Sequence, residues 1–275
     1  AAYAAGGGVV YVPAGTWPCT TQIVLKANVT LAGDGPASHL DFSSAGAITT
    51  CIKAAGSLAE TSVAFSATIT KGATTITFPS APSGVAAGTP LLIYDSDDGG
   101  FNAARDEYRA GEWCKVKSVS GGTVTLDGPV FSTYSTGGTR TIYVVTPVTA
   151  QVRNLRATFK AGLTGIEFEL GHKCLAVDLA LSGSDTSCLT FDRCFEVSAE
   201  RVKAFDVSAS IGLNYGIIIS NSQRVIVDGC HLDTTRHGLA VGGSDVIGCV
   251  PNRDVLVSGN LINGHLDSLP GADIH

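Results

Sequence analysis

Apolar residues recur along this chain in short runs rather than at helical spacing. Val9-Val10-Tyr11-Val12, Ile23-Val24-Leu25, Val29-Thr30-Leu31, Thr75-Ile76-Thr77-Phe78 and Leu91-Leu92-Ile93-Tyr94 are rich in β-branched and aromatic residues. Gly, Ser, Asn and Asp separate these runs, which is the punctuation of strands and turns. Beyond the first few residues no long stretch carries apolar positions at i, i+3, i+4 and i+7. The pattern predicts an all-β chain.

The second half is periodic. Gly165-Ile166-Glu167-Phe168, Cys188-Leu189-Thr190-Phe191, Gly216-Ile217-Ile218-Ile219 and Gly238-Leu239-Ala240-Val241 start 23, 28 and 22 residues apart. A second series starts at Val152, Leu175, Val197, Val225 and Val255, at steps of 23, 22, 28 and 30. Two interleaved series at this period predict one coil per repeat, with strands stacked in parallel as a β-helix. Side chains alternate along each strand, so Ile166, Leu189, Ile217 and Leu239 should stack as an apolar interior column. A β-sandwich would not require the phrase to recur at one-coil spacing. A propeller blade needs about 40 residues or more.

Residues 63–142 break the rhythm. Their strands lie closer together, as in hairpins, and include Glu112-Trp113-Cys114-Lys115-Val116 and Thr123-Val124-Thr125-Leu126. The predicted organisation is a parallel β-helix over 1–62 and 143–275, with a small antiparallel β domain inserted at 63–142.

Composition narrows the function classes. Charged residues are only 15% and the net charge is −6, with no run of Lys or Arg. Nucleic-acid binding is therefore not expected. No apolar run reaches the roughly 18 residues of a membrane helix, so membrane insertion is not expected either. Met is absent, even at position 1, and the chain is expected to be a fragment continuing beyond both ends. The eight Cys form no CxxC pair. Free thiols, or one or two disulfides, fit them better than a zinc site. Cys174 and Cys194 hold similar places before second-series strands and should be neighbours, bonded or not.

The opening Gly6-Gly7-Gly8-Val9-Val10-Tyr11-Val12-Pro13-Ala14-Gly15-Thr16, followed by Val29-Thr30-Leu31-Ala32-Gly33-Asp34-Gly35, resembles the N-terminal signature of the pectate-lyase-like superfamily. Its members are right-handed parallel β-helices. The insert, with Thr235-Arg236-His237-Gly238-Leu239-Ala240 and Val250-Pro251-Asn252-Arg253-Asp254-Val255, looks like phage tail spikes within it. The resemblance implies a virion structural protein of the phage tail, extracellular, that recognises host-surface polysaccharide. It also implies a homotrimer and other phage tail proteins as partners. A secreted polysaccharide lyase or glycoside hydrolase is the alternative, because fold does not settle chemistry in this superfamily. Enzymatic activity stays open at this stage.

The polar cluster near the end of the chain is the best candidate for chemistry. Arg236, His237, Asp273 and His275 are the catalytic candidates, and Tyr215, Asp233 and Asp245 the substrate-binding ones. Stacked coils should bring Tyr215, Arg236, His237, Asp273 and His275 onto one outer strip. An Arg offers a fork of donors to a sugar carboxylate, and a His exchanges protons near neutrality. The plainer reading is a corner ladder that holds coils together. Tyr94, Tyr108, Trp113 and Trp17 offer either sugar platforms or core packing. No cofactor is expected. Asp95, Asp97 and Asp98 form the one loop where a divalent cation could sit, though it lacks the spacing of an EF-hand.

Overall fold

The computed structural model describes residues 2–59, 64–98, 109–136, 140–207, 214–234, 236–244 and 246–264. The chain divides into two compact units. One is Ala1–Ala55 with Val148–Gly242 and Asn252–His275, and the other is Gly56–Pro147 with Gly243–Pro251. The stretch 63–142 lies inside the second unit.

The first unit is a right-handed parallel β-helix. A single 3-10 turn at Tyr3–Ala5 leads into the first strand, Gly8–Val12, which pairs with Val29–Gly33. The repeat predicts two strands per coil, but each coil has three sides. Leu175–Ser182 shows why. Its first part pairs with Ser198–Glu200 and its last with Lys203–Phe205, so one strand bends through two sides. The third side stacks Ile23–Leu25, Thr50–Ala55, Thr164–Glu169, Ser187–Asp192, Tyr215–Ser220 and His237–Gly242.

The bend between the first and second sides is made by left-handed residues. Asn154, Asp178 and Arg201 stack there with φ of 52°, 54° and 52°, and Gly229 and Gly259 follow at 62°. A left-handed backbone costs a residue with a side chain about 1–2 kcal/mol. The corner is held in return by cross-coil contacts, as Arg201 donates to both carboxylate oxygens of Asp178 at 2.7 and 3.1 Å.

Inside, Ile52, Ile166, Leu189, Ile217 and Leu239 pair in register on successive coils, and all are fully buried. This is the interior column that the periodicity predicts. Phe168 and Phe191 form the neighbouring row, with rings stacked 5.6 Å apart. All eight Cys are free. Cys174 and Cys194 are neighbours across Gly171, where an added Cβ would meet their Sγ atoms at 2.8 and 3.1 Å.

The second unit is a six-stranded antiparallel sheet. Its order is Ser57–Leu58, Arg140–Thr146, Pro90–Asp98, Arg109–Ser120, Thr123–Leu126 and Thr75–Thr77. Ile93, Val116, Val124 and Ile142 fill its core. Tyr94 and Trp113 are buried as well, so they pack rather than present a face to sugar. Glu112, also buried, accepts from the backbone N–H of Phe131 and Ser132 and from the Tyr134 hydroxyl. It thereby pins that loop to the sheet.

The interior column predicts a cost for truncation. Leu189→Ala removes the middle of the column and should destabilise the β-helix by about 2–5 kcal/mol. Denaturant unfolding should register this as a lower midpoint at unchanged slope.

Candidate functional site

Strand register brings three of the candidate residues together. Tyr215 and His237 open neighbouring strands of the third side and pair directly. Their rings stack with centroids 5.6 Å apart. Arg236 lies over the Tyr215 ring at 5.3 Å, and its Nη1 donates to the Tyr215 hydroxyl at 2.7 Å. His237 is only 6% exposed, whereas Tyr215 and Arg236 are half-buried. The outward parts of the stack are thus the Arg fork and the Tyr edge, with the imidazole behind them. The backbone N–H of His237 donates to the carbonyl of Asn214, which fixes the start of its strand.

Asp233 lies in the other parallel sheet, in His231–Thr234, where it pairs with Asn263. Asp245, Asp273 and His275 lie outside the described residues. In the second unit Asp95 is buried and ion-paired with Arg140 at 2.7 Å. The side chains of Asp97 and Asp98 lie outside the described residues, as does Tyr108. Among the described residues no group of three or more His, Cys, Asp or Glu is arranged to hold a metal ion. Trp17 is 44% exposed, with its indole N–H held by the Pro13 carbonyl.

The third side also carries a charged cluster that the sequence reading passed over. Glu167 and Glu169 point outward from one strand, and Asp192 pairs with Glu169 on the next coil. Lys53, one coil earlier, reaches Glu167 at 3.3 Å and Glu169 at 2.8 Å. Arg193 bridges Glu169 and Asp192. The Thr50 hydroxyl donates to Glu167. Burial pushes the Asp192 carboxyl above the usual carboxylate range, and the Arg193 guanidinium opposes that shift. Three carboxyl groups held by two cations, one of them with a raised proton affinity, form an arrangement able to hold and release a proton.

Residues 182–275 match the family model described as Gp49, pectin lyase-like. Residues 53–145 match the model described as tailspike protein-like, Ig-like domain. The tailspike gp49 of Pseudomonas phage LKA1 superposes with a TM-score of 0.86 at 27% identity over 96% of this chain. The tailspike gp61 of Pseudomonas phage phi297 does so with 0.85 at 32% identity, again over 96%. The gp54 tailspike of Acinetobacter baumannii bacteriophage AP22, solved with a capsular saccharide, gives 0.81 at 24% over 96%. This chain spans 44%, 44% and 43% of those three chains. No curated protein matches it. The resemblance to pectate-lyase-like phage tailspikes, and the fold it implies, are borne out.

The Asp192 carboxyl should titrate above its ordinary value of 3.8. A carboxyl raised in the folded state stabilises fully below its unfolded pKa, and that contribution is lost as pH rises through the folded pKa. Asp192→Asn should therefore gain on the parent as pH rises through this window. Carboxyl NMR, with the resonance assigned by its loss in the variant, checks the direction.

Proposed function

We propose that this chain is the β-helical part of a phage tailspike, a virion structural protein that recognises host-surface polysaccharide. The observation that carries the reading is the joint occurrence, on one chain, of a pectin-lyase-like coil and a tailspike Ig-like domain. Superposition of nearly the whole chain on two phage tailspikes supports it. In this reading the protein sits on the phage tail, outside the cell, and contacts other tail proteins. No helix among the described residues is long and apolar enough to cross a membrane.

The glycan-contacting element in this reading is the stack of Tyr215, Arg236 and His237. An aromatic edge beside a guanidinium offers one surface for a sugar's C–H face and another for its oxygens. The His237 ring supports Tyr215 from behind rather than meeting the ligand.

The protein is proposed to be a homotrimer. Ile226 and Leu256 stand on the outside of the first side at 43% and 55% exposure. They lie in register, and Glu196, Arg224 and Asp254 edge the shallow groove they line. An apolar strip with a charged rim suits packing against identical copies around a threefold axis.

A depolymerase activity is the second reading, favoured by the Glu167, Glu169 and Asp192 cluster. Neighbouring strands lie about 4.8 Å apart. That is close to the roughly 5–5.5 Å carboxyl separation of retaining glycoside hydrolases. In this reading the raised Asp192 is the proton donor and Glu169 the partner carboxylate. The same cluster would serve a secreted polysaccharide-degrading enzyme, which remains the alternative setting.

Arg236→Gln should weaken binding to host glycan about tenfold to a hundredfold at unchanged melting temperature, the loss expected for a charge-assisted hydrogen bond. His237→Ala should lower the melting temperature instead. Equal binding by both variants would move the site elsewhere. For the second reading, Asp192→Asn should slow release of reducing ends by about 10²–10⁴-fold. Light scattering should give three times the chain mass, and a monomer would reject the trimer.

A further inference from the structure

The second side of the β-helix carries a column in which His39, Arg156, Lys203 and His231 make no direct ion pair among the described residues. Thr16, His39, Arg156, Ala180, Lys203, His231 and Leu261 pair in register from coil to coil. Their neighbours along each strand, Leu40, Ala157, Leu181, Ala204 and Leu232, are buried, so the column faces outward.

Several cations elsewhere on this chain are matched to acids. Lys53 and Arg193 meet Glu167, Glu169 and Asp192, Arg201 meets Asp178, and Arg224 meets Glu196. Arg140 meets Asp95 and Lys115 meets Asp127. The Arg156, Lys203 and His231 side chains, like those of Lys26, Lys71 and Arg153, make no hydrogen bond or ion pair among the described residues. The Nε of Arg156 is buried without an acceptor. A guanidinium N–H left in this state is costly unless an oxygen from outside the fold supplies the bond.

The neighbouring outward column is hydroxylic at its centre. His39 Nε2 bonds the Thr158 hydroxyl at 2.9 Å, and Thr158 meets Ser182 at 3.3 Å. Burial and the nearby Arg156 lower the His39 pKa against the opposing charge of Asp41, favouring the neutral ring. In that column Asp41 adjoins Thr158 and Phe205 adjoins Ser182. The Asp41 carboxylate accepts from the backbone N–H of Ser43, and its charge acts on His39 and Arg156 at longer range.

We propose that this side is a binding site for an acidic polysaccharide, with Arg156 and Lys203 taking sugar carboxylates and Thr158 and Ser182 taking sugar hydroxyls. The inference rests on the glycan-binding reading above but places a second site on a different side of the coil. Arg156 and Lys203 are two coils apart, about 9.6 Å at the strand spacing. Ala180 lies between them and leaves the floor low. Two cations at that separation, facing one way, suit a chain whose carboxylate recurs on every second sugar. A planar carboxylate also fits the fork of an Arg better than a spherical anion does. Nucleic acid is disfavoured by the net charge of −6, since only a few local cations oppose it.

The test is a titration of the full chain with a hyaluronate oligomer, which carries a carboxylate on alternate sugars. A neutral maltooligosaccharide and single-stranded DNA of similar length serve as comparisons. The parent should bind hyaluronate at least tenfold more tightly than either, and the affinity should fall as salt rises. The double variant Arg156→Gln with Lys203→Gln should lose at least tenfold of that affinity at unchanged melting temperature. Lys203→Gln alone, at an exposed position, covers the case in which the Arg156 change disturbs folding, and should lose several-fold. Equal binding of hyaluronate by parent and variants, or binding of DNA as tight as hyaluronate, would overturn the site. If Arg236→Gln still impaired host-glycan binding, the function proposed above would stand without it. A parent that bound no polysaccharide of any kind would remove both.

Discussion

Every feature of the β-helix depends on one constraint: each coil must return to the register of the coil before it. Backbone hydrogen bonds between coils require that return, and so do the rows of buried side chains. Once it is met, residues more than twenty positions apart become lateral neighbours. The ion pairs Asp178–Arg201, Glu196–Arg224 and Lys53–Glu167 are all of this kind. The corners obey the same rule, since left-handed residues recur at one height after another. Arg193, Glu196 and Arg201 hold this conformation without being Gly or Asn. The stack therefore overrides local preference, as expected where surrounding structure fixes the backbone.

Legibility in the sequence followed that same constraint. The column Ile166, Leu189, Ile217 and Leu239 was readable because its members alternate within each strand and recur at coil spacing. The stacking of Tyr215, Arg236 and His237 was readable for the same reason. The second side of each coil was not, because the bend falls inside one continuous strand such as Leu175–Ser182. The charged cluster around Glu167 was half legible. Glu167 and Glu169 alternate with buried residues, and Asp192 follows at coil distance. Lys53, however, joins the cluster from a strand that precedes the inserted domain, so no period links it to Glu167. Asp233, a substrate-binding candidate, is close in sequence but stands on a strand of a different sheet from Tyr215.

The three sides differ in chemistry although one repeat builds them all. The first exposes aliphatic side chains at Ile226 and Leu256. The second sets cations beside hydroxyls, and the third combines neutralised carboxyls with an aromatic stack. Such separation is open to a β-helix because outward positions hardly enter the packing of the interior. A side can change its surface chemistry while the buried columns keep the register.

The cysteines have a chemical consequence of their own. Burial pushes the thiols of Cys51, Cys174 and Cys188 up to about 12, and that of Cys194 well above its ordinary value. The thiolate is the reactive form, so these sulfurs are inert as nucleophiles. Cys19 alone is not counted among the buried thiols. The cohesion of the coil is thus independent of the redox potential around it: reductants find no disulfide to break, and oxidants reach almost no sulfur. Cys19, half-buried, is the most accessible point for a thiol-directed fluorophore, although burial and the Asp41 charge raise its thiol pKa as well.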